Sequence, residues 1–404
     1  MHVTKNDRFE TRDCLEFEGS EYRRRWQRLR ENASTLADAV LVCSPEALRY
    51  LCGYRSLLTR SKWRPIMLCV PAQEESEPFL CVPGQELGIA QAYTPIDDLW
   101  LARESVVHGH DDPMDVVADA LKSRSLDQGR IGIEAGFGQR LGATLDEIER
   151  LRHRLPKATF VDAAPALWAT RAVKSEAEVA CLRRACELSC SGVRAGFEQL
   201  QAGMTEKQLH RIMVHAMMEA GAEDVWLAVG SGAKGYGIFN SLPTDHQLRR
   251  GDLVWVDGGA YFQGYVCDFI RSAVVGEPSS EQETWYSAAL DANRAALEAV
   301  GPGIESRELF AKALKSLEAI GMGDTWGLDV LGHGVGLEIH ELPSLTQNSS
   351  EHLVPGHVVT IEPSLSPPRH SHGHYIVEEI VAVTQSGQDI LTSSLSPELW
   401  VTGR

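Results

Sequence analysis

The sequence predicts two domains of different build, an α/β domain over residues 1–165 and an α+β domain over residues 166–404. Three observations carry this. Short apolar strands alternate with helix signatures up to about residue 165. Beyond that point the order is helices followed by strands, twice over, which hints at a duplicated unit. A length of 404 residues suits two or three domains.

In the first domain a helix over about Ser20 to Ala33 precedes a buried strand, Asp38 to Cys43. Ser44-Pro45-Glu46 opens the next helix, with Ser44 as N-cap and Pro45 at the first helical position. Apolar strands recur at Pro65–Val70, Pro78–Val82 and Arg130–Glu134, and Thr144 with Glu147 forms a capping-box signature. Asp162 to Lys174 reads as the crossing between domains. Ser175 and Glu178 make a second capping box, whose helix runs toward Phe197. A further helix starts at Thr205, with apolar residues at Leu209, Ile212, Met213 and Ala216 in helical period. From Leu253 the pattern becomes a hairpin: the strand LVWVD, the Gly-rich GGAYFQGY, and a return strand through VCDF. Two helices follow, at about 280–300 and 306–320. Strands at Val358–Ile361 and Tyr375–Val383 close the chain.

Composition excludes several classes of function. A net charge of −17 argues against a nucleic-acid backbone as partner, because phosphate binding needs clustered cations. The basic cluster Arg23, Arg24, Arg25, Arg28 and Arg30 reads as the wet face of an amphipathic helix. No apolar run reaches the 18 residues a membrane helix requires. The polar N-terminus lacks a signal-peptide core, and the nine cysteines are scattered without a C-x-x-C pair. A cytoplasmic protein with reduced thiols is expected.

The chemistry gathers in the second half. Asp257 and Asp268 fall on the two arms of the proposed hairpin, each among hydrophobic residues. They are either turn and capping acids or a pair facing one side, and a carboxylate in such a strand is costly unless paired or metal-bound. His333 lies in GHGVGLEIHE, where flanking glycines let the backbone approach a ligand, and His340 follows seven residues later. Glu362 ends one apolar strand and Glu378 sits inside another. Four strand-embedded acids would raise one another's pKa, and divalent cations resolve that conflict. Oxygen ligands with one imidazole suit Mn, Co, Zn or Fe. Two such ions sharing carboxylates would activate a water and polarise a carbonyl.

These contexts resemble the methionine aminopeptidase, proline peptidase and creatinase superfamily (M24), whose catalytic domain is the pita-bread fold. The resemblance spans nearly the whole chain. DAVLV and RYLCGY are similar to the creatinase/prolidase-type N-terminal domain, and TRAVKSEAE to the family's junction. Asp257 in VDGGAYFQGY, Asp268 in CDFIRS, His333 in GHGVGL, Glu362 in IEP and Glu378 in the strand ending VAVT match position by position. The resemblance implies an α+β pita-bread catalytic domain, two divalent ions, a homodimer and a small-molecule or short-peptide substrate. It implies that Asp257, Asp268 and Glu378 hold one ion, and Asp268, His333 and Glu362 the other. Glu362 would shuttle the proton, and His340 would contact substrate or the tetrahedral intermediate. Strand alternation sends Glu379 to the face opposite Glu378.

Two positions depart from the pattern. Proline peptidases carry a catalytic histidine where this chain has Asn240, which cannot shuttle a proton near neutral pH. They also tend to carry arginine where this chain has Ile376. Asn240 and Tyr236 are expected at the substrate, with Lys234 beside them. Arg369, His370, His372 and His374 form either a solvated loop or a substrate anchor, and Trp255 reads as core packing. The leading expectation is an Xaa-Pro-peptidase-like metallohydrolase. A specialised C–N hydrolase like creatinase or ectoine hydrolase is the alternative, and a non-catalytic pita-bread binding protein is the third.

Overall fold

The computed structural model describes residues 2–4, 14–60, 65–103, 112–232, 241–367 and 374–402. Lys234, Tyr236, Asn240, Arg369, His370 and His372 lie outside the described residues. The chain divides into two compact units, Met1–Arg171 and Ala172–Arg404. The division falls at the end of the helix Ala164–Ala172, six residues beyond the boundary at 165 expected from the sequence.

The first unit is built on a mixed seven-stranded sheet. Its order is His2–Thr4, Asp98–Ala102, Phe79–Pro83, Met67–Pro71, Ala39–Val42, Arg130–Ile133, Thr159–Asp162. The expected inner strands are present. The first, second and last in that order went unread because they are short and carry Asp, His or Thr at their ends. Leu41, Met67, Cys69, Phe79, Ile131 and Ile133 pack against the helices Pro113–Lys122 and Leu145–Arg154. Ser44 caps its helix by accepting from the Ala47 amide at 3.1 Å. The basic cluster is not uniformly wet. Arg25 is buried, its guanidinium 4.4 Å from the ring centres of both Phe17 and Tyr50 and bonded to Glu21 and the Tyr50 carbonyl.

In the second unit the helices Glu176–Gln199 and Glu206–Glu219 precede four strands of one five-stranded sheet, whose edge strand Trp400–Val401 comes from the end of the chain. Ser280–Leu297 and Ser306–Glu318 precede another such sheet. The two halves turn the same corner. Gly203, at φ +90°, donates to the Leu248 carbonyl at 2.8 Å, and Gly303, at φ +89°, donates to that of Leu353 at 2.8 Å. Leu248 and Leu353 return bonds to Met204 and Ile304 at 2.8 and 2.9 Å. The positive φ explains why glycine stands at both corners.

One expected strand is two. Tyr375–Ile376 pairs with Ser364–Leu365, and Glu379–Val383 with Val358–Ile361. At the break the Val377 carbonyl accepts from the Asn293 side chain at 3.0 Å instead of from a strand. Among the described residues no helix is long and apolar enough to cross a membrane. The nine cysteines are thiols, none in a disulfide.

Candidate metal centre

The strand Leu253–Phe262 is paired on both edges and puts Asp257 opposite Ala228 on one side and Ile270 on the other. The pairs Tyr265↔Phe262 and Ile270↔Asp257 share one uninterrupted register. Asp268 therefore stands across from Gly259, diagonal to Asp257, and the two carboxylates share a face. Gly258 bends the strand between them at φ +119°, where an added Cβ would lie 2.4 Å from the Trp226 carbonyl oxygen.

His333 is the penultimate residue of the strand Val330–Gly334. Its Nδ1 lies 2.9 Å from the Gly334 carbonyl, which can only accept, so Nδ1 carries the proton. The ring then presents Nε2 to Glu362 Oε1 at 3.2 Å and Asp268 Oδ2 at 3.6 Å. The glycines beside His333 serve the sheet rather than a ligand. An added Cβ at Gly332 would sit 2.0 Å from the Thr360 carbonyl oxygen, and one at Gly334 2.3 Å from that of Leu342. The expectation was that they let the backbone approach a ligand; the close approach they permit is to neighbouring strands.

Glu362 leaves the strand Val358–Ile361, its amide bonded to the Leu331 carbonyl at 2.7 Å. Glu378 arrives at the strand break and is 1% exposed. Glu379, the next residue, points away and pairs with Arg271 at 2.9 Å. That alternation separates the two glutamates as expected.

One carboxylate oxygen from each of Asp257, Asp268 and Glu378 lies within 4.8 Å of the others. The same holds for donor atoms of His333, Glu362 and Glu378, and of Asp268, His333 and His340. His340 is the outermost of these: it is exposed, and its ring centre lies 4.3 Å from that of His333, edge to face. Burial and the nearby His333 lower its pKa.

The electrostatics mark the cluster as unfinished without a cation. Burial, and then the charges of its neighbours, push Asp257 and Glu378 well above the carboxylate range. Burial raises Asp268 to about 7 despite the opposing charge of His333. Burial pulls His333 down, but hydrogen bonding and charge from Glu362, with the charge of Asp268, prevail and raise it to about 9. Glu378 Oε1 is buried with no hydrogen-bond partner among the described residues. A buried carboxylate oxygen without a donor costs free energy that a coordinated cation recovers. Four carboxylates and one Nε2-presenting imidazole make a donor set that fits a borderline or hard divalent metal.

Sequence reasoning missed two supports of this site. Lys174 and Glu341 form a buried ion pair at 3.0 Å, each side chain 1% exposed. The other Glu341 oxygen accepts from the amides of Leu337 and Glu338 at 3.0 and 3.2 Å, shaping the loop between His333 and His340. Arg271 is the second. An arginine three residues after Asp268, inside an apolar strand, was the available signal. Beside the cluster, Trp255, Ile270, Ala228 and Ile376 form a small apolar group. His374 Nδ1 lies 2.9 Å from Ser366 Oγ.

Residues 180–385 match the metallopeptidase family M24 and residues 25–173 the creatinase/prolidase N-terminal domain. The chain is 33% identical over 251 residues to an Xaa-Pro dipeptidase of Pyrococcus horikoshii, spanning 61% of this chain and 70% of that protein. Among solved structures it is similar to the prolidase of Pyrococcus horikoshii, at 27% identity and a TM-score of 0.77, covering 94% of this chain and 99% of that one. It is also similar to the dipeptidase PepE of Mycobacterium ulcerans, at 28% identity and a TM-score of 0.79, covering 95% and 99%. The chain therefore belongs to metallopeptidase family M24, joined to a creatinase/prolidase-type N-terminal domain, and is a metal-dependent hydrolase.

Proposed function

We propose that this enzyme hydrolyses a peptide or amide C–N bond of a small substrate, in the manner of an Xaa-Pro dipeptidase. The observation that carries the reading is the convergence of Asp257, Asp268, His333, Glu362 and Glu378, with Glu378 Oε1 buried and without a donor among the described residues. Asp257, Asp268 and Glu378 would hold one divalent ion, and Asp268, His333 and Glu362 a second. When bound, the metal supplies Lewis acidity toward water and the scissile carbonyl. Glu362 takes the proton of the attacking water and delivers it to the leaving nitrogen as the C–N bond breaks. His340, at the outer edge, donates a hydrogen bond to the oxygen that gains charge. The residues 1–165 would form the creatinase/prolidase-like domain and 166–404 the pita-bread domain that carries this chemistry. A homodimer is proposed from the resemblance alone, and light scattering of purified protein tests it.

A specialised substrate is the second reading, favoured by the apolar packing of Ile376 with Trp255 and by Asn240 in the sequence. Both readings meet one experiment. Metal-loaded enzyme is screened against dipeptides, Xaa-Pro peptides, and cyclic or N-acylated small amides, with Asp257→Ala and His333→Ala as controls. Cleavage of Xaa-Pro dipeptides supports the first reading, and cleavage of non-peptide amides only supports the second. Absence of bound metal, or activity surviving both substitutions, would sink both.

A further inference from the structure

Asn293 lies inside the helix Ser280–Leu297 and is fully buried. Asparagine is a weak helix former, and burying its amide is costly unless it is bonded. Its Nδ2 donates to the carbonyls of Ile361 at 2.7 Å and Val377 at 3.0 Å. Those are the residues immediately before Glu362 and Glu378. A peptide plane contains the carbonyl of one residue and the Cα of the next. Fixing these two carbonyls therefore fixes the Cα atoms of both glutamates. Val377 has no strand partner at this point, because the chain is changing neighbours between Tyr375–Ile376 and Glu379–Val383. The ladder to the strand that delivers Glu362 begins only at Glu379, opposite Ile361, so the Asn293 amide bridges the two chains one step before that pairing starts. The Asn293 Oδ1 is buried with no hydrogen-bond partner among the described residues, so the side chain is held here by its donors.

We infer that Asn293 is a positioning residue that sets the spacing of Glu362 and Glu378, and through them the affinity of the centre for a divalent metal. The inference rests on the assignment of those two glutamates as ligands. An apolar residue of the same size keeps the packing but leaves two buried carbonyls without a donor. Groups that orient metal ligands from behind typically change metal affinity ten- to a hundredfold when removed.

The test is calorimetric titration of metal-stripped full-length protein with Mn(II), with bound ions counted by mass spectrometry. Wild type is compared with Asn293→Leu, Asn293→Asp and Leu290→Ala, the last a core truncation on the same helix. Asn293→Leu and Asn293→Asp should weaken the Mn(II) Kd about ten- to a hundredfold. Leu290→Ala should lower the melting temperature at least as much yet leave the Kd within about threefold. Asn293→Asp keeps the side-chain shape and carries the comparison if Asn293→Leu does not fold. A folded Asn293 variant that binds Mn(II) like wild type overturns the inference, as does a Leu290→Ala Kd weakened equally. Wild type that takes up no Mn(II) overturns the ligand assignment itself, before any variant is compared.

Discussion

Arg271 Nη2 meets both carboxylate oxygens of Glu379 at 2.9 Å, on the far side of the strand break from Glu378. The same guanidinium donates from Nη1 to the Glu378 carbonyl at 2.7 Å, and from Nη2 to that of Leu395 at 2.9 Å. Thr392 Oγ1 completes the shell of Glu379. Burial opposes the cation, yet the charge of Glu379 prevails and raises its pKa. Arg271→Met strands a buried carboxylate and should cost about 3–5 kcal/mol. The double variant Arg271→Met/Glu379→Leu should recover most of that loss. Urea unfolding of the four proteins of this cycle measures it, and strictly additive losses would contradict the pairing.

The acids of the centre should act against the fold when no metal is bound. Asp257→Asn removes one of three clustered buried carboxylates. In EDTA-treated protein it should raise stability by about 1–3 kcal/mol, because like charges crowded away from water repel. With Mn(II) present the order should reverse, since wild type alone gains from binding. Thermal melts in EDTA and in Mn(II) check both signs. A metal-free variant less stable than wild type would contradict the argument.

His357 should make the protein acid-labile. It is buried, its Nδ1 accepts from the Val354 amide at 3.4 Å, and burial together with the charge of Lys174 lowers its pKa to about 4. The unfolded chain then binds more protons than the folded one between about 4 and about 6.5, so stability falls as pH falls through that window. A shift of this size corresponds to about 3 kcal/mol. Urea midpoints from pH 7.5 to 4.5 should drop more steeply for wild type than for His357→Gln. Parallel profiles would assign the acid sensitivity elsewhere.

Gly336 bears on catalysis without touching a ligand. A Cβ there would meet Glu341 Oε1 at 2.6 Å, displacing the carboxylate that holds the amides of Leu337 and Glu338. Gly336→Ala should therefore shift His340, lowering kcat by about tenfold or more while the metal content stays at the wild-type level. Lost metal with unchanged kcat per bound ion would place the effect in the ligands instead.

Substrate choice is tested at Asn240 and Ile376, the two positions expected to depart from the proline-peptidase pattern. If the pocket is otherwise that of a proline dipeptidase, Asn240→His should raise kcat/KM for Xaa-Pro dipeptides about a hundredfold, the scale of general acid–base assistance. Ile376→Arg should not be tolerated as readily, because Ile376 is fully buried against Trp255. No gain from Asn240→His would point to a specialised substrate.

Much of this was legible in the sequence because the signals were local. Capping residues mark helix starts by chemistry that needs no partner elsewhere, and Ser44, Thr144, Ser175 and Thr205 all cap as expected. The acids stood out because carboxylates in apolar strands are anomalous. What stayed hidden depends on distant partners. Arg25 looked like a surface charge until Tyr50 and Phe17 closed over it. The division of the last strand at Glu378 follows from Asn293, some eighty residues earlier, and no periodicity encodes that. The glycines around His333 were visible, but their neighbours Thr360 and Leu342 were not.

The twin corners at Gly203 and Gly303 have a consequence for how the enzyme can be divided. Asp257 and Asp268 belong to the first of the two matched halves, and His333, Glu362 and Glu378 to the second. A chain cut in the 276–279 connection would leave each fragment with its own helices and most of its strands, the first lacking only the edge strand Trp400–Val401, but with a donor set too small to retain a cation. Activity recovered on mixing such fragments would report reassembly directly, with a background near zero. The duplication supplies the scaffold twice, and the reactive centre exists only in the sum.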